Sequence, residues 1–206
     1  MANTTIEDKQ PKQSDPNVKI FLDDLDNKTI LFYEEIDEIS ALHANRLLLS
    51  IDKKLYKKYL KTQSEVERYN GKVSRPIINL RIHSQGGDVF SALSIIDIIN
   101  QLNCDVHTYI DGCAASGAAM IALHGKKRFI GKNSFMLLHQ LRGSQSGKFE
   151  DMQDEIKNSE KIMQLIRDMV KEKSKIEPKE IDEILKHEWW LTSKECLDYG
   201  LIDVIK

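Results

Sequence analysis

Ser116 stands alone in a run of small residues, Ala114-Ala115-Ser116-Gly117-Ala118, ahead of an apolar stretch that closes at Leu123. A strand that turns directly into a helix leaves unpaired backbone N–H groups at the helix start, and these can stabilise negative charge. An exposed hydroxyl at such a junction suits attack on a carbonyl carbon, and the N–H of Gly117 would face the oxyanion that forms. The same serine would also serve as a helix N-cap, so the motif alone leaves both readings open. A second junction of this kind lies at Gly86-Gly87, where absent side chains let a substrate come close to the backbone. His139 follows the apolar run Phe135-Met136-Leu137-Leu138. At the end of a buried strand an imidazole can take a proton from a nearby serine, or it can be a core histidine satisfied by a backbone carbonyl. His43, His83, His107, His124 and His187 are scattered without metal-ligand spacing, so no metal site is expected.

The elements that must position these groups follow from periodicity and turn residues. Lys28–Tyr33 is rich in β-formers and reads as a strand. From Glu38 to about Leu60 apolar residues recur at helical spacing. The charged stretch Lys53–Ser74 ends in the turn signal Asn70-Gly71, and its lysines 53, 54, 57 and 58 read as a solvated helix face. A buried-type strand over Pro76–Ile82 leads into the glycine pair and a helix over Asp88–Leu102. A strand over Asp105–Ile110 precedes the small-residue turn and a helix from Ser116 to about Leu123. Lys127–Ile130 and Ser134–Leu138 are short strand candidates, and Phe149–Lys173 is a long amphipathic helix. Further helices are expected over Pro178–Leu185 and Ser193–Tyr199, the latter stopped by Gly200. Alternating strands and helices imply α/β layers on a largely parallel sheet.

Composition narrows the function classes. The 206 residues suffice for one sizeable core, and 30 basic against 32 acidic residues leave a net charge of -2. Neither a nucleic-acid nor a membrane partner is expected from that balance, and no apolar stretch is long enough to span a bilayer. Residues 1–18 are polar, carry Pro11 and Pro16, and read as a flexible N-terminal arm before a single domain over 19–206. Cys104, Cys113 and Cys196 lack C-x-x-C spacing, which fits a reducing cytoplasm rather than a disulfide framework.

Four ordered motifs carry a resemblance. They read Leu-Arg-Ile-His-Ser-Gln-Gly-Gly (80–87), Asp-Gly-Cys-Ala-Ala-Ser-Gly-Ala (111–118), Met-Leu-Leu-His-Gln (136–140) and Trp-Leu-Thr-Ser-Lys-Glu-Cys-Leu-Asp-Tyr-Gly-Leu-Ile-Asp (190–203). In order, and in spacing apart from a small deletion between Ser116 and His139, they resemble the Clp protease proteolytic subunit family of serine peptidases. The resemblance implies a ClpP/crotonase-like fold of repeated β-β-α units, with a mainly parallel sheet and a protruding helix-containing handle at about 143–173. It implies Ser116 as nucleophile, His139 as general base and the N–H groups of Gly87 and Gly117 as oxyanion hole, with peptide bound along Gly86 and Gly87. The family's third triad member is an aspartate two residues before the aromatic of the last motif; here that position holds Glu188. Gln85 and Leu141 stand where the family usually has proline.

The implied activity is hydrolysis of peptide bonds in unfolded proteins inside an oligomeric chamber built from heptameric rings stacked in pairs, a tetradecamer. In the family a separate AAA+ unfoldase delivers substrate with ATP. The chain has no G-x-x-x-x-G-K-[ST] loop, so an ATPase would be another polypeptide, and no cofactor is expected for the peptidase itself. Two alternatives remain at this point: a ring-building subunit with weak or no turnover, and an acyl-CoA enzyme of the crotonase type.

Overall fold

The computed structural model describes residues 23–24, 28–144 and 146–206. The arm expected over 1–18 lies outside the described residues.

Two short strands, β1 (Asp23–Asp24) and β2 (Thr29–Phe32), pair antiparallel and lead into the long helix α1 (Glu38–Glu67). A capping box starts α1: the Asp37 side chain accepts from Ser40 N–H, and the Ser40 hydroxyl accepts from Asp37 N–H. The helix runs beyond the expected end near Leu60, through the charged segment to Glu67. Lysine and glutamate are good helix formers, and the Asn70-Gly71 turn, not the charge, ends the regular structure.

Next come β3 (Ile77–Ser84), α2 (Val89–Gln101), β4 (Asp105–Ala115) and α3 (Gly117–Leu123). β5 (Lys127–Ile130), β6 (Phe135–Leu137) and α4 (Phe149–Lys173) follow, then α5 (Pro178–Lys186), β7 (Trp190–Thr192), α6 (Ser193–Asp198) and β8 (Val204–Ile205). The sheet order is β1-β2-β3-β4-β5-β8, with β6 beside the far end of β4 and β7 beside β6. Among the described residues β2-β3, β3-β4, β4-β5, β4-β6 and β5-β8 are parallel, and β1-β2 and β6-β7 are antiparallel. This is an α/β fold on a mainly parallel sheet, as the alternation of elements predicts.

β4 is longer than its apolar run suggests. Its first part (His107–Ile110) pairs with β5 and its last part (Cys113–Ala115) with β6. The join is an irregularity: Ile82 faces Ile110 but Ser84 faces Ala114, and Gly112 in the extra segment takes φ +74°. A bulge of this kind bends a strand without breaking it.

The core lies between the sheet and α1, α2 and α3, with Leu80, Ile82, Ile95, Ile96, Ile110 and Ile121 fully buried. α4 behaves differently along its length. Met163, Ile166, Met169 and Val170 pack on the core, whereas Phe149 and Ile156 are exposed. Among the described residues no helix is long and apolar enough to cross a membrane.

Candidate active site

The register of three neighbouring strands brings the chemistry-bearing residues together. Ser84 of β3 faces Ala114 of β4, and Ala115 of β4 faces Leu137 of β6. The residues just beyond these pairs are Gly86-Gly87, Ser116-Gly117 and His139, so all of them sit at the carboxyl ends of adjacent parallel strands. That is where open α/β sheets place their ligand sites. One cavity of about 480 Å³ is lined by Gly86, Gly87, Ser116, Gly117 and His139 together. Its apolar wall is made by Leu93, Ile96, Met120, Leu138, Ile166 and Met169.

Ser116 occupies a backbone conformation that L-residues rarely adopt, φ 54° and ψ -126°, immediately before α3. Its hydroxyl makes no capping hydrogen bond to the helix. The N-cap reading therefore loses its physical basis, because a capping serine would satisfy the N2 or N3 N–H. The main chain instead holds the turn: Ser116 N–H donates to the Leu137 carbonyl at 2.8 Å, which ties it to the strand that carries His139. Gly86 packs against this turn so closely that an added Cβ would lie 2.7 Å from the Ser116 Cβ and 2.6 Å from the Ala115 carbonyl oxygen.

Gly87 takes φ +145°, and a Cβ there would lie 2.1 Å from the Ile36 carbonyl oxygen. Ile36 N–H donates to the Gly86 carbonyl at 2.7 Å and Asp88 N–H to the Ile36 carbonyl at 2.8 Å. These two bonds leave the Gly87 N–H out of the pairing with Ile36. The N–H of Gly117 belongs to the first turn of α3, where helical geometry supplies no partner. Gly117 is closely packed as well: a Cβ there would lie 3.1 Å from the Ala92 Cβ.

His139 is half-buried on the cavity wall. Burial, and secondarily the positive charge of Arg142, push its imidazole below the usual histidine value, while a hydrogen bond to the Gln140 backbone acts the other way. Burial and the Arg142 charge both favour the neutral imidazole, the state a proton acceptor needs. The segment after it is held on both sides. Gln140 N–H donates to the Leu185 carbonyl at 2.7 Å, and Leu141 N–H to the Met163 sulfur at 3.1 Å. A proline at 141 has no N–H to donate, so Leu141 adds an anchor that the usual residue lacks.

Glu188 is placed apart. Its carboxylate pairs with the Arg142 guanidinium, both side chains being more than half exposed, and it does not line the cavity. No carboxylate appears among the groups that shift His139. The structure thus brings Ser116, His139, Gly86, Gly87 and Gly117 together and leaves Glu188 outside, engaged by Arg142. Sequence reasoning passed over Arg142; the available signal was a charge two residues after the His-Gln motif, just past Leu141, which already breaks the expected pattern.

A family model described as Clp protease matches residues 69–206, about two thirds of the chain. The chain belongs to the Clp protease family. Among curated proteins it is 34% identical over 130 residues to an ATP-dependent Clp protease proteolytic subunit of Ligilactobacillus salivarius, covering 62% of this chain and 66% of that protein. It is 28% identical over 130 residues to the Porphyromonas gingivalis subunit of the same name, covering 62% and 59%. An ATP-dependent Clp protease proteolytic subunit 1 of Rhodopirellula baltica is 29% identical over 168 residues, covering 81% and 67%. The matched region spans slightly less than two thirds of the length of the first two relatives.

Proposed function

We propose that this Clp protease family chain is a serine endopeptidase subunit in which Ser116 and His139 carry the covalent chemistry. The observation that carries the reading is the backbone of Ser116, held at φ 54° before α3 with its hydroxyl uncommitted, on a cavity shared with His139, Gly87 and Gly117. Ser116 Oγ bonds to the peptide carbonyl carbon as His139 takes its proton, and the oxyanion is met by the N–H groups of Gly87 and Gly117. The C–N bond then breaks as His139 delivers that proton to the leaving amine. Water attacks the resulting ester, giving its proton to His139, which returns it to Ser116 as the acid departs. The apolar wall of the cavity favours an apolar substrate side chain next to the scissile bond. A peptide strand alongside Gly86-Gly87 would be held by backbone hydrogen bonds.

Glu188 completes a triad in this reading only when it leaves Arg142; until then Ser116 and His139 act as a pair. The family resemblance extends the proposal to assembly: heptameric rings stacked in pairs, with the exposed part of α4 between rings, and a separate AAA+ unfoldase supplying unfolded protein in the cytoplasm.

Hydrolysis of a fluorogenic peptide with an apolar residue before the scissile bond tests the assignment. Wild-type protein should cleave it, and Ser116→Ala and His139→Ala should each lose at least about a hundredfold in kcat/KM. Undiminished cleavage by Ser116→Ala would remove the serine from the mechanism.

A further inference from the structure

A second cavity, of about 700 Å³, lies away from the Ser116 site, between the carboxyl-terminal half of α1, the segment leading into β3, and the outer face of β3 and β4. Lys28, Lys54, Lys58, Arg75 and His107 line it, and among the described residues no carboxylate does. On a chain with more acidic than basic residues this is a concentrated positive concavity, and low-dielectric walls focus such a field.

The helix that supplies two of these lysines supports the point. Lys53, Lys54, Lys57, Lys58 and Lys61 follow one another on α1. The residues three and four positions from Lys54, Lys57 and Lys58 include further lysines and no acid. Like charges at these spacings destabilise a helix by a few tenths of a kcal/mol per pair. A solvated face normally interleaves both signs; between Lys53 and Lys58 this one does not, and the first acid that opposes it at helical spacing is Glu65, four residues beyond Lys61. Among the described residues no ion pair engages Lys28, Lys54 or Lys58, and Arg75 has Asp105 at 3.5 Å as its partner. Next door, Lys127 and Lys206 add positive charge around His107, opposed by Asp105.

The shape narrows the ligand class. A volume of this size suits one small organic molecule. Tyr59 and Tyr109 put aromatic rings into the lining, and Thr62, Ser74 and Asn79 add hydrogen-bonding groups. We propose that this cavity binds a small phosphate-bearing polyanion of nucleotide size, its phosphates held by Lys28, Lys54, Lys58 and Arg75 and its organic part laid against Tyr59. The site is independent of the peptidase reading, since it shares no lining residue with the Ser116 cavity.

Isothermal titration calorimetry of the full chain with ATP, inorganic tripolyphosphate, adenosine and a polyglutamate peptide tests it. ATP and tripolyphosphate should bind and compete with each other, both weakening as salt rises; adenosine alone should bind far less well. The double variant Lys54→Gln/Lys58→Gln removes two exposed charges and should weaken ATP by at least about tenfold with an unchanged circular dichroism spectrum. The remote double variant Lys179→Gln/Lys194→Gln should bind ATP as the wild type does. The proposal is overturned if neither phosphate probe binds, if both double variants behave alike, or if polyglutamate binds where the phosphate probes do not. The last result would assign the cavity to an acidic protein segment instead.

Discussion

At Ser116 the backbone conformation costs an L-residue about 1–3 kcal/mol, a strain that persists only where neighbours over-determine it. Here the determinants are the Leu137 carbonyl, the close approach of Gly86 and the small residues that begin α3. Gly86→Ala should therefore displace the serine, because its Cβ has no room and its φ of +94° disfavours any side chain. Loss of peptidase activity together with a lowered Tm is expected; a variant with wild-type activity would contradict this packing argument. Arg142 makes a second residue-scale prediction. Its charge helps hold the His139 imidazole below the usual value, so removing it should raise that value. The acidic limb of kcat/KM against pH should move upward in Arg142→Gln, and Arg142→Lys should keep it near the wild-type position. An unmoved limb in the glutamine variant would mean that Arg142 does not act on His139. The sequence carried the identities of Ser116 and His139 in local motifs, because small-residue turns and strand ends leave local signatures. Glu188 depends on how two exposed side chains settle, Arg142 winning it here, and no local pattern encodes that choice.

Asp52 shows what holds the elements in register. It is buried on α1, yet its carboxylate accepts from Cys104 N–H at 2.7 Å and from the Asn103 amide at 3.1 Å, pinning the helix to the turn before β4. Asp52→Ala would leave a buried N–H unpaired and should cost about 1–3 kcal/mol of unfolding free energy, read by urea denaturation. A change below a few tenths of a kcal/mol would show that water replaces the contact. The long amphipathic or apolar elements, α1, α2, α4 and β3, were legible because periodicity accumulates over many residues. β7 and β8 were not, since three-residue and two-residue strands carry too little pattern and form only where β6 and β5 offer an edge. The second half of β4 was also missed. Glycine and alanine are poor strand formers, and pairing with β6 overrides that preference.

Across the whole molecule His107, His124 and His139 share one trend: burial is the leading cause that lowers each below 6.5. The unfolded chain then binds more protons than the folded one just below that pH, so stability must fall as pH drops through 6.5 and below. Thermal unfolding should show a declining Tm between about pH 7 and 5, reduced in His124→Gln; a Tm that is flat over this window would contradict the shared trend. The general architecture followed from the order of strands and helices, and the position of the site from the carboxyl ends of three parallel strands. The central claim remains the activated serine. Intact-mass measurement after treatment with a serine-directed sulfonyl fluoride reads it directly on the whole chain. One adduct on wild-type protein, absent from Ser116→Ala and much slower to form on His139→Ala, is the predicted result. An adduct that persists in Ser116→Ala, or none on the wild-type protein, would contradict it.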